Sequence, residues 1–512
     1  MAGSTSTSTP AGAQDSRAAA AAAAAATTTA TTSSDDDGHS TNASTSCLIL
    51  PTIVYAQFAG TSLWFAPNAV VANVGFDDHQ VASLVSSVQG GFIAGTLLLT
   101  YLAVADRCNP AGLFAAMTTV GSVLNALCVA TTSYAAWIVL RVLVGTMLAG
   151  VYPVGMKIAS AEYPQGLGAR LGVLVGALTL GTAFPWLVRG LQGEGGSGLP
   201  YRTTVGVVSA VAFSGALVMW AVMVPRHRVK REGATCSSRS CSSNGRREID
   251  AAPECKSHDE ASLQQGVSSG SSDVFQQDEE ESSSHANLEH QEQQQHHHHH
   301  QQLMGIKALR QILADSRFRA ASLGYFGHMW ELYAFWTYVP ILIQSHADVH
   351  GVIFGNVALT VFATIAIGAA SCTIAGIWSL RAGRNVLPGS AVVAEVALLT
   401  SLVCCLVAPF YQRMSQGIFL FYLLVWGSAV VADSAQFSSL CAAYACPSLV
   451  GTALTFTTCV GFSITIVSIQ ILGALLENGW DPGNALALLA IGPVLGATRS
   501  YWEWPLRTIV VC

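Results

Sequence analysis

Glu331, Asp433 and Arg141 each stand inside a long apolar stretch of the chain. A charge at the centre of a membrane helix costs ~2.5–3.5 kcal/mol even on lenient scales, so its presence calls for a reason. For the two carboxyls one reason is chemistry: an acid withdrawn from water in a narrow cavity can load and release a proton, or ligate a cation. The other is architecture, a polar contact that fixes the packing of neighbouring helices. Arg141 divides in the same way, between a ligand for an anionic solute or counter-charge to an acid, and scaffold. Asp433 is followed by Ser434 and Gln436, which extend its polar surroundings. His328 precedes Glu331 by three residues on the same helical face, so the two either relay protons or pack. Gln57, Trp64 and Asn68, spaced seven and four apart, share one face of the first apolar stretch. That face suits a wet cavity holding a polar solute, or amides that bridge helices.

Helices must hold these residues in place. Segments near the ~20 residues that cross a bilayer can be drawn at 48–70, 81–103, 112–131, 135–157, 167–190 and 203–224, and again at 318–344, 352–378, 386–408, 416–440, 449–473 and 483–500. The fold class expected is therefore all-α and polytopic, with twelve transmembrane helices in two six-helix halves, 47–224 and 317–505. An N-terminal tail, 1–46, and a central loop, 225–316, rich in His, Gln and Ser, are expected to be disordered, and 506–512 forms a C-terminal tail.

Composition agrees. The chain is 51% hydrophobic and 11% charged, against about 25% charged in an average soluble domain, which excludes a soluble enzyme. The net charge of −6 gives no support for nucleic-acid binding. Several of the 13 cysteines, Cys128, Cys372, Cys404, Cys405 and Cys459 among them, sit inside helices as small apolar residues, and no disulfide framework is expected. The tract His296 to His300, with Cys236, Cys241, Cys255 and His258 upstream, could hold zinc or copper loosely, but it lacks a rigid four-ligand spacing and reads better as a linker. No metal site and no cofactor are expected.

Cytosolic turns carry the excess of Lys and Arg. With the N-terminus inside, Arg107, Arg170, Arg226, Arg228, Lys230, Arg231, Arg317, Arg319, Arg381 and Arg384 fall in inner turns, against mainly Arg202 and Arg413 in outer ones. Both termini are then cytosolic, and the plasma membrane is the default location. The two halves also echo each other: Ala161-Glu162-Tyr163-Pro164 follows the fourth segment, and Ala443-Tyr444-Ala445-Cys446-Pro447 follows the tenth. Matching punctuation of this kind points to a duplicated unit.

The turn Leu102-Ala103-Val104-Ala105-Asp106-Arg107, its counterpart Trp378-Ser379-Leu380-Arg381-Ala382-Gly383-Arg384, and Arg141-Val142-Leu143-Val144-Gly145 in the fourth segment together resemble the major facilitator superfamily. After Asp106-Arg107 the chain has Cys108-Asn109-Pro110 where the family usually carries Gly and further basic residues. The resemblance implies that helices one, four, seven and ten line a central cavity, which would bring Glu331, Asp433 and Arg141 toward it. It also implies a gating role for Asp106, Arg107, Arg381 and Arg384, whose charges would lock the cytosolic side closed; otherwise they are turns that set topology.

The function expected is secondary active transport of a small polar or anionic solute by alternating access, with protons the expected coupling ion. The expected partners are that solute and the lipid bilayer, the expected state is a monomer, and no nucleic acid is involved. Two other readings stay open: a non-transporting receptor or scaffold of the same fold, and a metal-responsive transporter regulated by the His-rich loop. No nucleophile–base pair, phosphate loop or catalytic metal motif supports an enzyme.

Overall fold

The computed structural model describes residues 40–163, 167–191, 199–243, 310–382, 389–446 and 449–503, and no β-strand occurs among them. The chain divides into two compact units, Met1–Ile49 and Leu50–Cys512. Of the first only the opening of one helix is described; the second holds the rest of that helix and all the others. In chain order the helices are α1 (Ser40–Thr61), α2 (Asp78–Tyr101), α3 (Pro110–Leu127), α4 (Tyr134–Leu148), α5 (Tyr152–Glu162), α6 (Leu167–Gly190) and α7 (Tyr201–Ser243). After the central loop come α8 (Ser316–His350), α9 (Val357–Ala382), α10 (Gly389–Val407), α11 (Gln416–Ala432), α12 (Ser434–Tyr444), α13 (Val450–Glu477), α14 (Pro482–Ala487) and α15 (Ile491–Glu503).

Nine stretches among the described residues are long and apolar enough to cross a bilayer: α2, α3, α4 with α5, α6, α7, α9, α10, α11 with α12, and α13. Shorter apolar helices stand at the first and last positions read from the sequence, Leu48–Thr61 and Pro482–Ala497, and the 35-residue α8 stands at the seventh. Large apolar side chains such as Phe421, 69% exposed, and Trp220, 61% exposed, face outward, as a surface bathed in hydrocarbon allows.

Polar caps set the helix starts. Asp77 accepts from Gln80 N at 2.8 Å while its own N–H donates to Gln80 Oε1 at 3.2 Å, a closed capping box at the head of α2. Asn109, Asp315 and Asp481 cap α3, α8 and α14 in the same spirit, each accepting from backbone N–H groups in the first turn. Pro110 and Pro482 occupy first-turn positions, where a missing N–H costs nothing.

Two boundaries differ from the sequence reading. Residues 40–46 belong to α1, and α7 runs on past Pro225 to Ser243, where a linker is expected. The rest of the N-terminal tail, the His-rich tract and 506–512 lie outside the described residues. The first segment also departs from a continuous span. Thr61 Oγ1 donates back to Gln57 O at 2.7 Å, α1 stops there, and 62–70 proceed in turns through Pro67. Trp64 and Asn68 therefore do not share a helical face with Gln57.

The fourth segment of each half is interrupted as well. In the first, α4 passes to α5 between Leu148 and Tyr152, closed by turn bonds Gly150 N→Met147 O (2.9 Å) and Val151 N→Leu148 O (3.0 Å). In the second, Asp433 alone separates α11 from α12. The halves meet along α6 against α9, where glycine permits backbone contact: a Cβ on Gly172 would lie 2.8 Å from Cys372 O, and one on Gly176 2.7 Å from Ala369 O. They meet again along α2 and α13, where Gln470 Nε2 donates to Ser86 Oγ at 2.9 Å.

Candidate functional site

Glu331 lies in the middle of α8 and is 1% exposed. Its Oε1 accepts from Ser401 Oγ and from Cys405 Sγ (3.3 Å) on α10, and from Trp426 Nε1 (2.7 Å) on α11. Three donors on one oxygen tie α8 to two neighbours within the second half. At 100° per residue Glu331 points about 140° away from the stripe Tyr325, Met329, Leu332, Tyr333 and Trp336, and that stripe is the one that faces the centre.

His328 finds its partner elsewhere. Its Nδ1 lies 2.8 Å from Asp433 Oδ1, with both side chains buried, at 1% and 2% exposure. The contact is at ion-pair distance, but the ring N–H is not aligned on the carboxylate as a hydrogen bond requires. The His328 ring is bracketed by Tyr325 and Phe437, at 6.2 and 6.4 Å between centroids. The described partners of Glu331 do not include His328, so the relay suggested by their spacing has no direct contact here. Asp433 sits at the break between α11 and α12, and Gln436 is buried three residues beyond it.

Arg141, fully buried in α4, is bound to neutral oxygens. Nη1 donates to Asn125 Oδ1 at 2.9 Å, and Nη2 to the carbonyls of Leu63 (2.7 Å) and Trp64 (3.1 Å). Asn125 in turn donates to Ser209 Oγ at 2.9 Å. These are carbonyls freed where α1 unwinds, so the guanidinium caps an interrupted helix and braces it against α3 and α7.

Trp64 Nε1 donates to Gln89 Oε1 at 3.0 Å, and its ring stacks on Phe462 at 5.5 Å, joining the two halves. Tyr333 (5.6 Å) and Phe92 (5.0 Å) complete the cluster, and Phe65 meets Trp336 edge-on at 5.7 Å. Gln57 is buried beside Gly155 and Phe114 with neither amide atom hydrogen-bonded, and Asn68 Nδ2 is likewise unpartnered. Of the expected gating residues, Arg107 and Arg381 are exposed, whereas the side chains of Asp106 and Arg384 lie outside the described residues. An ion pair at that end joins Glu162 to Arg226 at 3.7 Å.

Among the described residues, none of the charged candidates lines the cavity between the halves. Its wall is built from Tyr152 on α5, Thr179 on α6, Tyr325 and Tyr333 on α8, Ser434 on α12 and Phe462 on α13, among others. The cavity is nearly closed, with a volume of about 20 Å³. Tyr152 and Ser434 are the first residues after the two helix breaks, the placement expected where interrupted helices meet a substrate site. These hydroxyls escape a reading of the sequence because tyrosines in an apolar run look like core. The recurrence of Tyr325, Met329, Leu332, Tyr333 and Trp336 at helical spacing is the signal that marks them.

The sequence profile of the Major Facilitator Superfamily matches residues 48–469. No curated protein matches the chain. Among solved structures, a bacterial homologue of the human lysosomal transporter Spinster, inward-facing and occupied, superposes with a TM-score of 0.56 at 15% identity, covering 89% of this chain and 96% of that one. Its unoccupied form gives 0.56 at 16% identity over 90% and 96%. A mutant of the nucleoside transporter NupG gives 0.56 at 12% identity over 89% and 98%. At such identities these structures speak for the fold alone, while the profile spans most of the chain: the protein is a multi-pass membrane protein of the major facilitator superfamily, a transporter and not an enzyme.

Proposed function

We propose that the protein is a secondary active transporter that carries a small polar solute by rocking its two halves about the central cavity, coupled to protons through the His328–Asp433 pair. The observation that carries this reading is the position of that pair. It lies at the break of an interrupted helix, one residue from Ser434, which lines the cavity. A titratable pair there can exchange a proton when the cavity opens to either side, and its charge state can bias which opening is favoured. Glu331, held by three donors on the far face of α8, serves packing in this reading. The transporter works as a monomer in the plasma membrane with both termini in the cytosol, a topology supported by the arginine-rich turns. Arg107 and Arg381, exposed at that end, belong to its closure.

The test is uptake by proteoliposomes of a radiolabelled solute panel, with and without an inward proton gradient, in wild type and Asp433→Asn. Accumulation that follows the gradient in wild type and vanishes in the variant, with solute exchange retained, supports the reading. Gradient-driven accumulation in both would remove the pair from coupling.

A further inference from the structure

We propose that the central cavity takes an uncharged, ring-bearing solute recognised through hydroxyl groups, and that Tyr152 and Tyr333 are the residues that read it. The inference rests on the transporter reading and names its substrate class. Five of the twelve lining side chains are aromatic, namely Tyr152, Tyr325, Tyr333, Trp336 and Phe462, and no charged residue among those described lines the cavity.

The buried charges of the described residues are committed elsewhere. Arg141 is occupied by Asn125 Oδ1 and the carbonyls of Leu63 and Trp64. Asp433 is paired with His328, and Glu331 faces α10 and α11. The N–H groups of Gly150 and Val151 at the first helix break are spent in turn bonds, so they offer an anion nothing. An anion or cation in this cavity would shed its water without a counter-charge, which is prohibitive beside the cost of moving a neutral polar group into hydrogen bonds.

What the cavity does offer is hydroxyl chemistry and flat rings. Thr179 Oγ1 already donates to Val175 O at 2.9 Å, leaving it an acceptor. The hydroxyls of Tyr152 and Tyr333 have no hydrogen-bond partner among the described residues, although Tyr333 is only 4% exposed. A hydroxyl can donate and accept, so two of them facing one space suit a solute bearing its own hydroxyl or carbonyl groups. The rings of Tyr333, Trp336 and Phe462 line the same space packed on one another, at 5.3 Å (Tyr333–Trp336) and 5.2 Å (Tyr333–Phe462) between centroids, and would present faces to a planar body only as the halves part. Water-centre space of about 20 Å³ is room for about one water, so the solute enters only as the halves part.

The test uses the full-length protein in proteoliposomes and compares matched probes: phenyl β-glucoside and tryptophol as neutral rings, benzoate and benzylammonium as their charged counterparts. Saturable uptake of a neutral ring is expected, with the charged probes neither carried nor competing. Tyr333→Phe and Tyr152→Phe, which remove only an oxygen, are expected to raise its KM roughly three- to tenfold while the melting temperature of the purified protein stays put. Saturable transport of benzoate or benzylammonium with the neutral rings excluded would overturn the substrate class and leave the transporter reading standing. Uptake of a neutral ring that ignores both tyrosine variants would place the solute outside this cavity and overturn the site. Transport of no solute in the wider panel would defeat the transporter reading itself.

Discussion

Asp433 Oδ1 and His328 Nδ1 stand 2.8 Å apart at the point where α11 gives way to α12, both buried within the second half. The pair joins the seventh and tenth segments at a backbone break. That setting separates it from Glu331 and Arg141, which are held by neutral donors or acceptors in continuous helix. Its coupling is measurable: a double-mutant cycle of His328→Gln and Asp433→Asn on thermal or denaturant stability is expected to show an interaction of ~0.5–3 kcal/mol. Strictly additive losses would mean that the two side chains are neighbours without being partners.

Glu331 should behave differently. In Glu331→Gln the amide oxygen still accepts from Ser401, Cys405 and Trp426, so stability and uptake are expected to survive. Glu331→Ala leaves three buried donors without an acceptor and should cost ~2–4 kcal/mol. Abolished gradient-driven uptake in the Gln variant would return Glu331 to the role of proton carrier.

Arg141→Lys retains the charge but not the fork that spans Asn125 Oδ1 and two carbonyls. A loss of ~1.5–3 kcal/mol is expected, read as a lower melting temperature in detergent, with KM for any transported solute unchanged in the fraction that folds. A raised KM at undiminished stability would mark Arg141 as a solute ligand instead.

Much of the helical layout is legible in the sequence because hydrophobic runs of membrane length have few alternatives. The interruptions are not. Spacing alone puts Gln57, Trp64 and Asn68 on one face, yet Thr61 ends α1 and Arg141 takes up the freed carbonyls of Leu63 and Trp64. Gly60, Thr61 and Pro67 are the local clues, but an arginine 78 positions on is not visible from them. His328 and Glu331 illustrate the same limit. Three-residue spacing puts two side chains on one side of a helix, but their partners come from other helices, and here the histidine turns to Asp433 while the glutamate turns to α10 and α11.

At the head of α8, Asp315 accepts from Arg317 N at 2.7 Å and from Arg317 Nη2 at 3.1 Å, and the hydrogen bond from the Arg317 side chain holds its carboxyl below its usual pKa. A group depressed on folding lends stability above its unfolded pKa, ~3.9 for Asp, and withdraws it as pH falls through the folded value. Stability from this cap is therefore expected to be level near neutrality and to fall on acidification below pH ~4. Asp315→Asn should keep the cap and flatten that part of the profile, whereas Asp315→Ala should cost ~1 kcal/mol at neutral pH. Identical acid sensitivity in wild type and the Asn variant would assign it to other groups.

The most direct test of proton coupling through His328 and Asp433 is proton entry on addition of solute to proteoliposomes loaded with a pH-sensitive dye. Phenyl β-glucoside and tryptophol would be added with no gradient imposed. Wild type is expected to acidify the lumen as solute enters, and Asp433→Asn to exchange labelled solute with no pH change. Undiminished proton entry in Asp433→Asn would rule out coupling through the pair.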